Sequence, residues 1–569
     1  MIYRTEHPKP QFMRANWVNL NGEWQFEIDQ ANSGRARKLY APDAAYSRQI
    51  QVPFCPESKL SGVQFTDFMN SVWYKRTVTL TEDHLKGRVF LHFGAVDYEA
   101  IVYVNGKKAG SHKGGYVSFR MDITDYVTVG DNILTVNAQD DVRDPMIASG
   151  KQSERYASWG CLYTRTTGIW QTVWLEFVPA AYISNVKYTT DANAGTLNIA
   201  AELVGAGTLK AQAYYEGVFM GEAETVSNGG TAMLNLTVAE KHLWELGCGR
   251  LYDLVLTYGD DRVESYFGLR SIQMDGYKFR LNGRSVYQRL VLDQGFYPDG
   301  IYTAPSDEEL QNDVKRSMDM GFNGARLHEK VFEERFLYHC DKLGYMVWGE
   351  YPNWGLDHTR PESIYAMLPE WLEEVARDCN HPAIIGWCPF NETWNINYRP
   401  QYDGLISLVY QVTKAVDPTR PCVDTSGGYH VLTDIFDTHD YARKPEVLAE
   451  HFEKFVSEDK FYDQMGERNS KVYIHGQPFF VSEYGGIGWS LDETAWSYGD
   501  APKTEEEFLT RLKGLTDVLL DNPHIFGFCY TQLTDVEQEQ NGLYTYDRRP
   551  KFPASQIAPI FSRKAVIED

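Results

Sequence analysis

The chain has 569 residues, 43% hydrophobic and 23% charged, a globular composition that excludes a wholly disordered protein. At ~100–200 residues per domain, its length excludes a single small module and predicts several domains. The formal charge of −23, with no Lys/Arg-rich run, excludes a general basic surface for nucleic acid or anionic membrane.

The first residues, Met1 to Pro8, lack the apolar core of a signal peptide, and no stretch approaches ~18 apolar residues. A cytoplasmic protein without a membrane span is expected. The eight cysteines are scattered, with no CxxC pair and no Cys/His ligand spacing, which predicts free thiols. Up to about Pro179 the chain reads as β. Val89–Phe93, Ala100–Val104, Ser71–Tyr74, Ile133–Val136 and Thr172–Leu175 are rich in β-branched and aromatic residues, and Asn105-Gly106 marks a two-residue hairpin turn. Short strands with frequent turns predict a β-sandwich over residues 1–179. Residues 180–268 carry the same pattern in Leu197–Ala200, Met233–Leu236 and Leu251–Leu256, about the length of one immunoglobulin-like sandwich.

From Met274 the pattern becomes strand–helix alternation. Ser306 with Glu309, and Thr504 with Glu507, form capping boxes. Apolar stripes run through Leu310, Val314 and Met318; through Phe332, Phe336, Leu337, Cys340 and Leu343; through Trp371, Leu372, Val375, Ala376 and Cys379; and through Leu512, Leu515 and Leu519. Strands are predicted at Tyr345–Trp348, Ile384–Trp387 and Ile525–Phe528. Alternation over residues 269–569 predicts a parallel (β/α)8 barrel; an open doubly wound sheet is the alternative, but no glycine-rich dinucleotide loop follows the first strand.

Barrels place reactive groups at the C-terminal ends of strands. There stand Asn391-Glu392-Thr393-Trp394, Ser482-Glu483-Tyr484-Gly485, Arg326 with His328, and His439-Asp440-Tyr441. Two glutamates at two strand ends are the pair that proton donation and nucleophilic attack need, one protonated and one ionised. Burial beside Trp394 predicts a raised pKa for Glu392, while Arg326 and Tyr441 are placed to keep Glu483 ionised.

The order sandwich, immunoglobulin-like domain, barrel, with Asn391-Glu392 and Ser482-Glu483-Tyr484-Gly485, resembles glycoside hydrolase family 2. Asn21-Gly22-Glu23-Trp24, Thr167-Gly168-Ile169-Trp170, Phe322 to His328, Cys340 to Gly344, and Asn541-Gly542-Leu543-Tyr544 with Arg549-Pro550-Lys551 extend the likeness over essentially the whole chain. The resemblance implies a jelly-roll sugar-binding-like first domain. It further implies Glu392 as general acid/base, Glu483 as nucleophile, retention through a covalent glycosyl-enzyme, and Asn391 on the sugar 2-hydroxyl. Tyr441 would orient Glu483, and Arg326 would hold its charge. Relatives commonly form dimers or tetramers, so a homo-oligomer is possible.

Departures from the family pattern bear on the substrate. Val291-Leu292-Asp293-Gln294-Gly295 replaces the usual Asn-x-His-Glu at the first strand, and Gly349-Glu350-Tyr351 lacks the histidine of the magnesium-dependent β-galactosidases, so no metal or other cofactor is expected. Where β-glucuronidases carry Asn-x-Lys, this chain has Glu539-Gln540-Asn541, an acid where a cation would meet a uronate. The expected activity is therefore that of a retaining exo-β-glycosidase, β-galactosidase-like, on a neutral sugar. β-Glucuronidase, β-mannosidase, arabinosidase and a non-catalytic carbohydrate-binding protein are the alternatives. Asp293, Asp299, Trp354, Asp424, His439 and Glu539 are candidate specificity contacts, and Trp394, Trp489 and Tyr530 a candidate sugar platform. The polar stretch Asp140-Asp141-Val142-Arg143-Asp144 is a candidate for narrowing the pocket from the first sandwich.

Overall fold

The computed structural model describes residues 2–466, 473–490 and 495–569. In Gly22–Ile28, Trp24 and Phe26 are buried while Glu23 and Gln25 face water, the period of two that lays one strand face on a core. This strand lies in a six-stranded antiparallel sheet, ordered Arg48–Val52, Gly22–Ile28, Ser71–Leu80, Gly130–Gln139, Glu99–Val104, Lys107–Lys113. A four-stranded sheet of Trp17–Asn19, Val173–Val178, Arg88–Phe93 and Phe119–Asp122 covers it, and Trp24, Phe26, Tyr74, Leu91, Phe93 and Leu134 belong to the core they form. Asn105 and Gly106, at φ +51° and +79°, make the predicted tight turn.

The second sandwich packs Tyr182–Asp191, Thr196–Val204 and Gly230–Thr237 against a sheet of Val218–Ser227, Gly207–Tyr215, Tyr252–Tyr258 and Asp261–Phe267. The strand–helix alternation then begins later than Met274. Ile272–Asp275, Lys278–Leu281 and Arg284–Ser285 form a small antiparallel sheet first, whose buried Phe279 joins the barrel core beside Phe526.

The barrel strands are β1 (Gln288–Asp293), β2 (Gly324–Leu327), β3 (Met346–Glu350), β4 (Ile384–Cys388), β5 (Phe436–Asp440), β6 (Phe479–Gly485) and β7 (Ile525–Thr531), all parallel, in the spatial order β4-β3-β2-β1-β7-β6-β5. The eighth position is taken by the irregular segment 421–426, which bridges in parallel at Trp387–Cys422 and Asn391–Ser426. Its backbone carries pairing past the end of β4, and the Glu392 amide donates to the Ser426 carbonyl at 2.7 Å. Gly427 follows at φ +58°, where a Cβ would stand 2.4 Å from the His439 ring; only glycine fits there.

Ser306 and Thr504 accept from the amides of Glu309 and Glu507 at 3.2 and 3.1 Å, capping helices Asp307–Asp319 and Glu505–Leu520. The reciprocal half of the first box is absent, because the Glu309 carboxylate takes Arg316 instead. Helix Ile364–Asp378 departs from its predicted stripe: Ala376 is exposed, and Glu370, Glu374 and Asp378 are buried beside Trp371 and Val375. The reason for Glu370 is the first sandwich, which packs on this helix and donates the Tyr116 amide to Glu370 at 2.8 Å. All eight cysteines are free, six of them buried. Among the described residues no helix is long and apolar enough to cross a membrane.

Residues 140–167 leave the first sandwich and reach the barrel mouth. The Ser149 amide donates to the Trp354 carbonyl at 2.7 Å, the Asp357 amide to the Pro145 carbonyl at 2.8 Å, and Gln538 Nε2 to the Gly160 carbonyl at 2.8 Å. Asp140 itself is buried and Arg143 pairs with Asp141, so the stretch 140–144 is the root of this arm; Val142 reaches the cleft from it, and Ser149, Gly150, Gln152, Glu154 and Leu162 beyond it line the same cleft. At the root, Glu57 accepts from the Thr167 amide at 3.2 Å, its other oxygen has no partner among the described residues, and burial pushes its carboxyl up to about 7. The unfolded carboxyl ionises near pH 4.5, so the penalty is absent below that pH, grows as pH rises, and is complete above about 7. Glu57→Gln is therefore expected to raise the thermal midpoint by several degrees at pH 8 and scarcely at pH 4.5. The equivalent gain at pH 8 is about 3 kcal/mol. Equal shifts at both pH values, read by calorimetry, would refute this.

Candidate active site

An inward-facing side chain at a strand's C-terminal end meets the barrel mouth, and four strands converge there. Arg326, on β2, is 2% exposed and serves as the hub. Its guanidinium donates to Glu350 Oε1 at 2.5 Å, to the Ser482 carbonyl at 2.8 Å, to Glu483 Oε1 at 3.1 Å and to Asn391 Oδ1 at 3.1 Å. Tyr441 donates to the other Glu483 oxygen at 2.6 Å, and burial next to that carboxylate pushes its phenol well above the usual range, so it stays a donor. Removing Arg326 would leave two buried carboxylates unpaired, a loss of ~3–5 kcal/mol.

Glu392 follows β4 at φ +51°, a left-handed conformation imposed by the pairing with segment 421–426. Its Oε1 lies 2.7 Å from His439 Nδ1, which is also 3.4 Å from Glu483 Oε2. One oxygen of Glu392, the His439 nitrogen and one oxygen of Glu483 all fall within 4.8 Å of one another. Among the described residues these three form the cluster whose donor atoms are close enough to share a cation, although Nδ1 is here committed to Glu392. The expected rise in the Glu392 pKa is overturned. Burial pushes the carboxyl up, but the hydrogen bond and charge of His439, aided by Lys151 and Arg326, bring it below its ordinary value. Trp394, at 41% exposed, is too solvated to dominate. Burial lowers His439 in turn, and Glu483 and Glu392 outweigh it, so the imidazole is raised. Both shifts run toward a proton on His439 and away from one on Glu392.

Asn391 is buried, with its backbone amide on Asn353 Oδ1 at 2.6 Å and its Nδ2 without a partner among the described residues. His328 is buried against Glu350 at 3.1 Å; burial, with the charges of Lys151 and Arg326, holds its imidazole well below the usual range, so it stays neutral and Glu350 is the counter-charge of Arg326. Trp394 and Trp354 stand with ring centroids 6.2 Å apart. With Leu162, Glu154, Asn353 and Glu392 they line a cleft of about 310 Å³. Glu539 is fully buried, accepting from Asn541 at 3.1 Å and from the Tyr163 hydroxyl of the sandwich arm.

Several candidates lie elsewhere. Tyr530 is buried against Phe561, 5.3 Å between centroids, and Asp293 caps the Gly295 amide at 2.9 Å beneath the rim. Both fail for the same reason, the strand period of two. Asp293 shares the outward register of Arg289, which binds Glu568, and Tyr530 that of Phe528; the neighbour Thr531 faces inward and bonds Tyr441. Asp299 forms an exposed pair with Lys59, Asp424 is buried on His430, and Trp489 packs between Phe508 and Phe552. Lys151 was missed. It lies on the sandwich arm, 3% exposed, with Nζ 3.7 Å from the centroid of the Trp354 ring. No sequence signal marks it, since its neighbours in the site come from the barrel.

Two sandwiches ahead of a parallel barrel with two glutamates facing each other at its mouth define a multidomain barrel of the carboxylate-pair type. Residues 17–175 match the sugar binding domain of the glycosyl hydrolases family 2, and residues 303–508 its TIM barrel domain; the chain belongs to glycoside hydrolase family 2. It is 27% identical over 438 residues to a putative beta-glucuronidase of Formosa agariphila, covering 73% of this chain and 50% of that protein. It is 25% identical over 449 residues to a beta-galactosidase of Thermoanaerobacter pseudethanolicus, covering 72% and 57%. The chain thus spans little more than half the length of these curated relatives. A solved β-glucuronidase from Ruminococcus gnavus, in complex with D-glucuronic acid, superposes with a TM-score of 0.78 at 19% identity, covering 99% of this chain and 100% of that one.

Proposed function

We propose that this chain is a retaining exo-β-glycosidase acting by double displacement, with a β-glucuronide as its substrate. The observation that carries the mechanism is the approach of a Glu392 oxygen and a Glu483 oxygen to within 4.8 Å. Retaining pairs stand ~5–5.5 Å apart and inverting pairs ~6.5–9.5 Å, the latter leaving room for a water between carboxylate and sugar. Glu483, whose two oxygens accept from Arg326 and Tyr441, attacks C1. As the C1–Glu483 bond forms, the bond to the leaving oxygen breaks, and that oxygen takes the proton of the Glu392–His439 pair through Glu392. Water then enters, Glu392 removes its proton, and its oxygen displaces Glu483 from C1. The Asn391 amide, lacking a partner, is free to donate to the 2-hydroxyl. The sandwich arm and Trp394 make the mouth a pocket, which suits a terminal sugar.

The glucuronide reading is supported by the names of the Formosa relative and the Ruminococcus structure. A β-galactoside is the second reading, favoured by the acid at Glu539 and by the Thermoanaerobacter relative. Proton NMR of the first-formed product tests the mechanism: a β-anomer is expected, and an initial α-anomer would overturn it. The pair's proton also predicts a pH effect. His439→Gln is expected to move the alkaline limb of kcat/KM to lower pH, because the proton then sits on a carboxyl instead of a raised imidazole. A profile from pH 4 to 9 with an unmoved alkaline limb would rule this out.

A further inference from the structure

Lys151 is a buried ammonium with no ion-pair partner among the described residues. The backbone on either side of it is pinned: the Gly150 amide donates to the Trp354 carbonyl at 3.1 Å, and the Lys151 carbonyl accepts from the Tyr163 amide at 2.7 Å. Its field partners are Cys161, Glu539, Glu392 and Glu483, which outweigh burial and keep it charged. Glu329 feels the same charge. Each nearby carboxylate is committed elsewhere. Glu392 is held by His439, Glu483 by Arg326 and Tyr441, and Glu539 by Asn541 and Tyr163; Glu329 accepts the Trp354 amide at 3.0 Å through one oxygen, and burial pushes its carboxyl well above the usual range. Among the described residues none forms a hydrogen bond or ion pair with Lys151 Nζ, whose near contact is the Trp354 ring. Lys151 is thus held charged by the summed field of the site and not by a direct ion pair, which leaves its ammonium open to an anion brought by the substrate.

We propose that Lys151 is the specificity-determining residue for an acidic sugar, its ammonium, held over the Trp354 ring that lines the cleft with Glu392, pairing with the sugar carboxylate. The cation that reads the uronate then comes from the first sandwich, not from the last barrel loop, where Glu539-Gln540-Asn541 stand. Glu539 is turned away from this role, since both its oxygens accept hydrogen bonds, from Tyr163 and from Asn541. The proposal rests on the glycosidase reading above and extends it to the substrate's charge. The rival role for Lys151 is a brace that stacks on Trp354 and fixes the arm.

The test compares the full-length wild type with Lys151→Gln and Lys151→Met, the latter keeping the aliphatic stem over Trp354, with folding checked by thermal melts. Substrates are 4-nitrophenyl β-glucuronide and 4-nitrophenyl β-galactoside. The wild type is expected to prefer the glucuronide, and the glucuronide-to-galactoside ratio of kcat/KM to fall about 100-fold in both variants. Free glucuronate should inhibit the wild type more strongly than glucuronamide, a preference lost in the variants. Parallel loss on both substrates would show a brace and overturn the proposal. So would a wild type that prefers the galactoside or does not distinguish acid from amide, a comparison that stands even if neither variant folds. Glu483→Gln separates the two readings: activity surviving in that variant overturns the glycosidase mechanism, whatever Lys151 does.

Discussion

Glu483→Gln is expected to lower kcat on an aryl β-glycoside by at least ~10⁴-fold, a barrier rise of about 5 kcal/mol, with little change in KM. The amide keeps the volume of the carboxylate, and its oxygen still accepts from Tyr441 or Arg326, so the pocket stays in place while the nucleophile is lost. Because the defect is in bond formation at C1 and not in binding, an external anion can take the nucleophile's place. Azide is expected to restore part of the turnover in the smaller Glu483→Ala variant and to yield an α-glycosyl azide, since it enters from the face that Glu483 occupied. Activity within tenfold of wild type, with mass spectrometry excluding contamination, would remove Glu483 from the reaction.

Glu392→Ala is expected to cost ~10²–10⁴-fold, by an amount that depends on the leaving group. A dinitrophenolate departs without a proton, so the first step survives and the glycosyl-enzyme accumulates. An alkyl glycoside needs the proton and is nearly inert. Azide attacks the accumulated intermediate from the side Glu392 vacated, giving a β-glycosyl azide. Opposite anomers from the two azide reactions would distinguish the two carboxylates. The variant should also lose the alkaline limb of its pH profile, because that limb belongs to the proton of the Glu392–His439 pair. A uniform loss across leaving groups would show that Glu392 acts on binding instead.

Both glutamates were legible before any coordinates, and so was most of the barrel. Strand, turn and cap signals are local: Asn105-Gly106 makes its turn through its own φ angles, and Ser306 caps its helix with an amide three residues on. Glu392 and Glu483 were found because a strand end in a barrel is a mouth. The same rule misled at Asp293 and Tyr530, which also end strands. Whether a side chain at a strand end points in or out depends on the register of β1 and β7 in the closed barrel, and on the bulges between β6 and β7.

What the amino-acid sequence determined alone was the order of domains, the elements within them, the family and its two carboxylates, each set by residues close together in the chain. What only the tertiary structure decided was the electrostatics of the site. His439 reverses the pKa shift expected for Glu392, the sandwich arm supplies Tyr163 and Lys151, and Glu539 enters as a hydrogen-bonded acid. The physical reason is range. Backbone preferences act between near neighbours in the chain, whereas the field at a buried carboxylate sums every charge within several ångströms, whichever domain contributes it.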